Sequence, residues 1–401
     1  MREMKDSGVA WIEKIPHCWN TSKLKYLGQY INGYAFKPEE WGSKGVPIIR
    51  IQDLTGSNDN PNYFEGQIDK KYWVENGDIL ISWAATLDAF IWNKGNGWLN
   101  QHIFKAVPNR RIINYDFFFW MIKESMKNMN NDNKHGIFMQ HVTLSVFNNF
   151  TIPMPPLAEQ ERIAAFLDAE CAEIDTVLEK TRASIEEYKK LKQAVITQAV
   201  TKGIRGDRPM KDSGIEWIGD IPAEWDYTKA KNCVNIQNGS DPKTEGSIPV
   251  YGSGASSFKT CGEYKEGPSV LIGRKGATLH IPHYISTKFW NVDTAFNVYA
   301  KPNFDLKFYF YCACSFDYRF YISQTTLPSM TQTAYENMFL PLPSNDEQRV
   351  IASYLDNRCE EIDALIWKKQ ECLVEIENYK KSLIYEYVTG KKEVKTSVLA
   401  D

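Results

Sequence analysis

The sequence predicts an α+β protein with two globular domains built on curved β-sheets. Two long antiparallel coiled-coil helices separate them, and an internal pseudo-two-fold repeat relates the halves. Three observations predict this. MKDSGVAWIEKIPHCW at Met4–Trp19 returns as MKDSGIEWIGDIPAEW at Met210–Trp225, identical at ten of sixteen positions. Glu159–Asp175 aligns without a gap to Glu347–Asp363. Between the repeated phrases lie two long segments that barely resemble each other. Repeats override any fold assignment made without them. A fixed frame with two different inserts suggests one machine that reads two different things.

Residues 1–154 form the first predicted domain. The segment after the opening phrase alternates β-branched and aromatic runs with glycine turns, as in Val46–Leu54, Gly77–Trp83 and His102–Val107, and an apolar helix is expected at Asp116–Met129. Residues 155–205 form a helical spacer. Pro155 and Pro156 mark the turn before it, and Gly203 its stop. Leu167, Ile174, Thr181, Tyr188 and Val195 recur every seven residues, as do Cys171, Leu178, Ile185, Lys192 and Ala199 offset by four, which is an a/d seam. Residues 206–342 form the second domain, with strands expected at Ser247–Gly254 and Pro268–Ala277 and an aromatic helix around Leu306–Tyr318. Residues 343–401 form the second spacer, with a seam in phase with the first: Leu355, Ile362, Lys369, Ile376 and Leu383, with Cys359, Ile366, Leu373, Lys380 and Tyr387. A helix of about 45 residues is ~65–70 Å long. Its seam cannot stay in water, and the other helix of the chain is the simplest partner.

The chain has 401 residues, enough for two to four domains, and a net charge of −3. The average hides a division. Residues 20–154 hold 14 Lys+Arg against 12 Asp+Glu, residues 226–340 hold 11 against 9, and residues 343–401 hold 9 against 12. Slightly basic inserts are compatible with DNA, although a module relying on phosphate charge alone would be more basic. The eight cysteines form no CxxC pair, and no apolar run approaches the ~20 residues that span a bilayer. These features predict a cytoplasmic protein.

Enzyme signatures are thin. GxxxxGK[ST], HExxH and GxSxG are all missing. His280 and His283 lack the acidic or thiol neighbours of a metal site, and Asp293 reads as a turn or polar contact residue. Contact chemistry is better supplied. Arg274 and Lys275 lie in a glycine-framed turn, and arginine can take guanine O6 and N7 together; a solvated hairpin tip accounts for the same residues. Tyr251 and Ser253 lie in a hydroxyl-rich loop. Arg50 and Gln52 are expected on one face of a strand, where a solvated sheet face is the competing reading. Ser82, Trp83 and His141 add polar and aromatic loop residues. Lys37 and Thr331 complete the DNA-binding candidates.

These phrases resemble those of the specificity subunits of type I restriction–modification systems. The resemblance rests on DSGxxWxxxIPxxW twice, on P-L-x-x-E-Q-x-x-I-x-x-[FY]-L-D at Pro156–Asp168, on its altered second copy from Leu342, and on the VTKG and VTG helix ends. It covers almost the whole chain. It implies a non-catalytic subunit in which each insert is a target recognition domain reading half of a split, asymmetric double-stranded DNA site. The helices would set the spacing and dock two methyltransferase subunits, with Leu167, Ile174, Tyr188, Leu355, Ile362 and Ile376 as docking candidates. Motor–nuclease subunits would complete an ATP-dependent restriction enzyme. The chain itself would hold no cofactor or metal. S-adenosylmethionine, for adenine methylation, and ATP and Mg2+ would belong to its partners. A protein-binding scaffold without DNA readout and a self-sufficient DNA-modifying enzyme are the alternatives.

Overall fold

The structure, a computed structural model, describes residues 2–58, 60–132, 142–254, 256–318, 321–322 and 328–395. The chain forms two compact units, Met1–Lys180 with Leu373–Asp401, and Thr181–Cys372. Each unit takes one repeated phrase, one insert and part of both long helices, which cuts across a division into four successive segments.

In the first unit the opening phrase is a hairpin of β1 (Met4–Asp6) and β2 (Lys14–Pro16). The insert continues as β3 (Asn20–Lys23), β4 (Gly28–Asn32), β5 (Val46–Ile49), the short helix α1 (Ile51–Thr55), β6 (Tyr63–Phe64), β7 (Trp73–Val74), β8 (Ile79–Ser82), β9 (Asp88–Ile91), β10 (Gly97–Leu99) and β11 (Ile103–Pro108). One antiparallel sheet has the order β4-β11-β8-β9, and a second has the order β6-β5-β10-β7, with β5 parallel to β10. Every residue of β8 is buried, because the sheet is covered on both faces. Helix α2 (Tyr115–Asp132) packs beside β9. It is followed by α3 (Leu144–Asn149), β12 (Thr151–Met154) paired with β3, and the long helix α4 (Leu157–Lys202).

The second unit repeats the plan. Its hairpin is β13 (Met210–Asp212) with β14 (Asp220–Pro222). Then come β15 (Asp226–Lys229), α5 (Ala230–Cys233), β16 (Val234–Asn238), β17 (Ile248–Tyr251), β18 (Lys259–Cys261), β19 (Ser269–Gly273), β20 (His283–Ile285), β21 (Trp290–Asn291) and β22 (Ala295–Ala300). Helices α6 (Leu306–Ser315) and α7 (Gln332–Asn337), β23 (Phe339–Leu342) and the long helix α8 (Asn345–Val388) complete it. The sheets run β16-β22-β19-β20 and β18-β17-β21, with β17 parallel to β21. The inserts, unlike in sequence, therefore share one fold. Even the tight crossing at the end of β4 returns at the end of β16. A Cβ on Gly33 would lie 2.0 Å from the Asn100 carbonyl oxygen, and one on Gly239 would lie 2.1 Å from that of Val292.

The repeated phrases join each insert to its helix. Glu159 accepts the Trp19 indole N–H at 2.9 Å and pairs with Arg2; Glu347 accepts that of Trp225 at 2.9 Å and pairs with Arg208. Gln160 and Gln348 donate to the carbonyls of Pro155 and Pro343, at 2.8 and 2.9 Å, and accept the backbone N–H of Asn114 and Asp305, both at 2.8 Å. Those two residues cap α2 and α6 through their own side chains. Asp168 accepts the Trp120 indole N–H at 2.7 Å, and Asp356 accepts the Tyr311 hydroxyl at 2.9 Å. Gly203 and Gly390, both at φ 73°, end the long helices in the left-handed region that glycine adopts without penalty.

The seam positions pack as their heptads predict. Leu167, Cys171, Ile174 and Leu178 are buried in the first unit, in one cluster with Leu383 of α8. In the second unit Ala199 shares a core with Leu355 and Cys359, and Val195 packs partly buried against it. The thiols of Cys171 and Cys359 are small buried groups, and burial raises both above the ordinary thiol range. All eight cysteines are unbridged. Among the described residues no helix is long and apolar enough to cross a membrane, and no His/Cys/Asp/Glu cluster could hold a metal.

Candidate nucleic-acid interface

In the second unit three sequence-predicted residues converge. Strand β19 ends at Gly273, and Arg274 and Lys275 follow with their backbone N–H groups on the Thr294 carbonyl, at 2.8 and 3.2 Å. The Arg274 carbonyl accepts the Met330 N–H at 2.9 Å. This brings the β19 exit against Thr331, which caps α7 by accepting the Ala334 N–H at 3.1 Å. Arg274, Lys275 and Thr331 line a concavity of about 300 Å³, together with Asn238, Phe296 and Gln332. The Arg274 guanidinium sits 5.8 Å from the centre of the Phe296 ring, in cation–π range. The Lys275 ammonium lies 3.7 Å from Asp293. Neither residue is a fully solvated tip; both are half-buried. Ser253 accepts the Thr278 hydroxyl on its carbonyl at 2.9 Å, and the Tyr251 carbonyl accepts the Val292 N–H at 3.0 Å, so both stand beside this loop system.

Sequence reasoning missed Asn238 and Gln332. The Asn238 amide donates to Gln332 Oε1 at 3.3 Å, and Gln332 Nε2 donates to Ile236 O and Glu336 Oε1, at 3.1 and 2.8 Å. The sequence signal was present: each insert has an Asn-Gly at the end of the corresponding strand, Asn32-Gly33 after β4 and Asn238-Gly239 after β16. Lys265 was also missed. Its ammonium donates to Asn291 and Asn297 side chains at 2.7 and 2.6 Å, and burial pushes it down to about 8.

In the first unit Trp83 follows β8 as Arg274 follows β19. Its ring stacks on Phe104 at 5.8 Å and its indole N–H reaches Asn32 at 3.3 Å. Its carbonyl accepts the Val142 N–H at 3.0 Å, next to Thr143, which caps α3. His141 lies outside the described residues.

Three expectations need correction. Arg50 and Gln52 do not share a strand face: β5 ends at Ile49, the Asp53 carboxylate accepts the Arg50 N–H at 2.8 Å, and this cap turns the chain into α1. Gln52 is exposed on that helix, while Arg50 donates to Asn62 at 2.8 Å and lies over Trp41. Ser82 is fully buried with its hydroxyl on the Ala84 carbonyl, so it is structural. Lys37 is not among them: it precedes the turn Pro38–Glu40 with its backbone N–H held by Glu40 at 2.7 Å, and its side chain is exposed. The helix candidates for partner docking serve the helix seam instead. Leu167, Ile174, Leu355 and Ile362 are buried, Ile376 packs against the first unit's core, and Tyr188 lies under the Lys369 ammonium at 5.6 Å.

Comparison with known proteins agrees with this architecture. The family model described as "Type I restriction modification DNA specificity domain" matches residues 16–187 and 222–373. The specificity subunit of the type I restriction enzyme MjaVIII from Methanocaldococcus jannaschii is 26% identical over 416 residues, 95% of each chain. That of EcoBI from Escherichia coli is 28% identical over 242 residues, covering 59% of this chain and 51% of its own length. Among solved structures, a chain from work on complex assembly and conformational transition of the type I R-M system has a TM-score of 0.73 at 17% identity, covering 94% of this chain and 99% of its own. The HsdS subunit from Thermoanaerobacter tengcongensis has a TM-score of 0.50 at 18% identity, over 94% and 98%. The family domain occurs twice and spans most of the sequence, and the chain belongs to the DNA specificity subunit family of type I restriction–modification systems.

Proposed function

We propose that each unit reads one half of a bipartite, asymmetric double-stranded DNA site and that the paired helices set the spacing between the halves. The observation that carries this is the repeated recognition loop. One fold places Trp83 in the first unit and Arg274 in the second at the same strand exit, against the same capped helix, with different side-chain chemistry. Equal frames with unequal readers select unequal half-sites. Catalysis, S-adenosylmethionine, ATP and Mg2+ belong to methyltransferase and motor–nuclease partners in this reading.

The seams are consumed by the helix pair, so two methyltransferases dock on other faces. Exposed apolar residues recur there at matched heptad positions: Val177 with Leu365, and Leu191 with Tyr379. A repeated frame offers each partner an equivalent surface. The experiment is methylome sequencing of cells that express the chain with its methyltransferase. One split, non-palindromic adenine-methylated motif is expected. Methylation without sequence preference would overturn the reading, and exchange of residues 20–154 for another insert should change one half of the motif only.

A further inference from the structure

The sheet registers make Trp83 and Arg274 one position. Phe104 pairs with Asn32 and with Ile81, as Phe296 pairs with Asn238 and with Ile272, so the residue two places beyond Ile81 matches the residue two places beyond Ile272. The backbone contacts agree. Trp83 N–H reaches the His102 carbonyl and its carbonyl takes Val142; Arg274 N–H reaches the Thr294 carbonyl and its carbonyl takes Met330. Each side chain lies over the equivalent phenylalanine, and each stands near the equivalent asparagine. The frame thus fixes the backbone, the platform and the neighbouring amide, while the side chain at this position differs between the units.

We propose that this position is a specificity determinant shared by both units, and that it reads the same place in each half-site, counted from the spacer. The proposal rests on the half-site reading above and assigns its chemistry. Arg274 presents a planar cation, preset by its phenylalanine platform, which takes guanine O6 and N7 together. Trp83 has its indole N–H on Asn32, so it offers an apolar edge. That surface suits a thymine methyl. The second half-site then carries a G·C pair where the first carries an A·T pair.

The test uses the full chain assembled with its methyltransferase and a selection from random DNA duplexes. Arg274→Ala should lose roughly ten- to a hundredfold of the preference for guanine at one position of one half-site. Trp83→Arg should turn A·T into G·C preference at the matching position of the other half-site. The untouched half-site reports folding in every variant. Trp83→Phe keeps a ring over Phe104 and should weaken that one position severalfold while the rest of its half-site persists. Changes at unmatched positions, no change, or loss of an entire half-site with Trp83→Phe would overturn the proposal while leaving the half-site reading intact. A parent complex that selects no sequence would remove both.

Discussion

Lys192 holds Asp363 through its ammonium at 2.6 Å, and the residues one repeat away, Lys380 and Asp175, form the same contact at 2.6 Å. Lysine in an a/d seam breaks the apolar pattern, but here it reaches the rim and binds a carboxylate on the facing helix. A polar seam residue typically specifies register at some cost in stability. Asp363→Lys sets two ammonium groups together and should lower the urea midpoint; Lys192→Glu added to it should recover most of the loss. A double-mutant cycle is expected to give a coupling of ~0.2–1 kcal/mol, because both partners are solvent-accessible.

The second prediction concerns Glu347, whose carboxylate serves the Trp225 indole and Arg208 together. Its side chain is only 14% exposed, so the two donors would not be rehydrated freely. Glu347→Ala should cost about 2–4 kcal/mol in denaturant unfolding. Glu347→Gln, which keeps an acceptor for the indole, should cost less. Equal losses for both would show that the charge rather than the hydrogen bond to Trp225 dominates.

Much of this architecture was legible in the sequence, for identifiable reasons. The seams show because heptads are local and Leu167 or Leu355 must be buried by whatever covers its helix. The long-helix ends show because Gly203 and Gly390 obey backbone rules that need no partner. The strand order that the inserts share does not show. Sheet order depends on pairings such as Phe104 with Asn32, more than 70 residues apart, and each strand tolerates many β-formers. Gln52 went astray because an aspartate cap at Asp53 outweighs three residues of apparent alternation. Ser82 looked like a loop contact because alternation cannot reveal that β8 is covered on both faces.

Lys265 gives a pH prediction. Burial lowers its ammonium to about 8, below the 10.5 of an exposed lysine. Between those values the unfolded chain binds more protons than the folded one, so folding stability rises with pH across that window. Below about pH 8 both states are protonated and the burial penalty is fully present. The stability of the parent relative to Lys265→Met should therefore increase from pH 7.5 to pH 10. Urea titrations of both proteins measure it, and a constant difference across that range would contradict the assignment.

Lys275 and Asp293 supply the salt prediction. The pair is 3.7 Å long, and Lys275 lines the concavity that Arg274 shares. If Lys275 meets a phosphate, Lys275→Ala weakens binding to all DNA sequences alike and reduces the salt slope by about one contact. Asp293→Asn releases the lysine from its carboxylate and should tighten binding at low salt, again without altering sequence preference. Salt-dependent titrations of the assembled methyltransferase separate this from base reading, which would change preference instead.

The last prediction concerns the long helices as the element that sets spacer length. Helix α4 runs unbroken over 46 residues and α8 over 44, so both contribute to each unit without an intervening loop. One heptad inserted after Ile185 and one after Leu373 keeps both seams in phase. The pair lengthens by roughly 10 Å. That corresponds to about three base pairs at ~34 Å per turn of DNA. The nonspecific spacer in the methylated motif should lengthen by that amount while both half-sites stay the same. A single insertion in one helix shifts one seam against the other and should instead destabilise the chain. An unchanged spacer with full methylation in the double insertion would show that something other than the helices sets the distance.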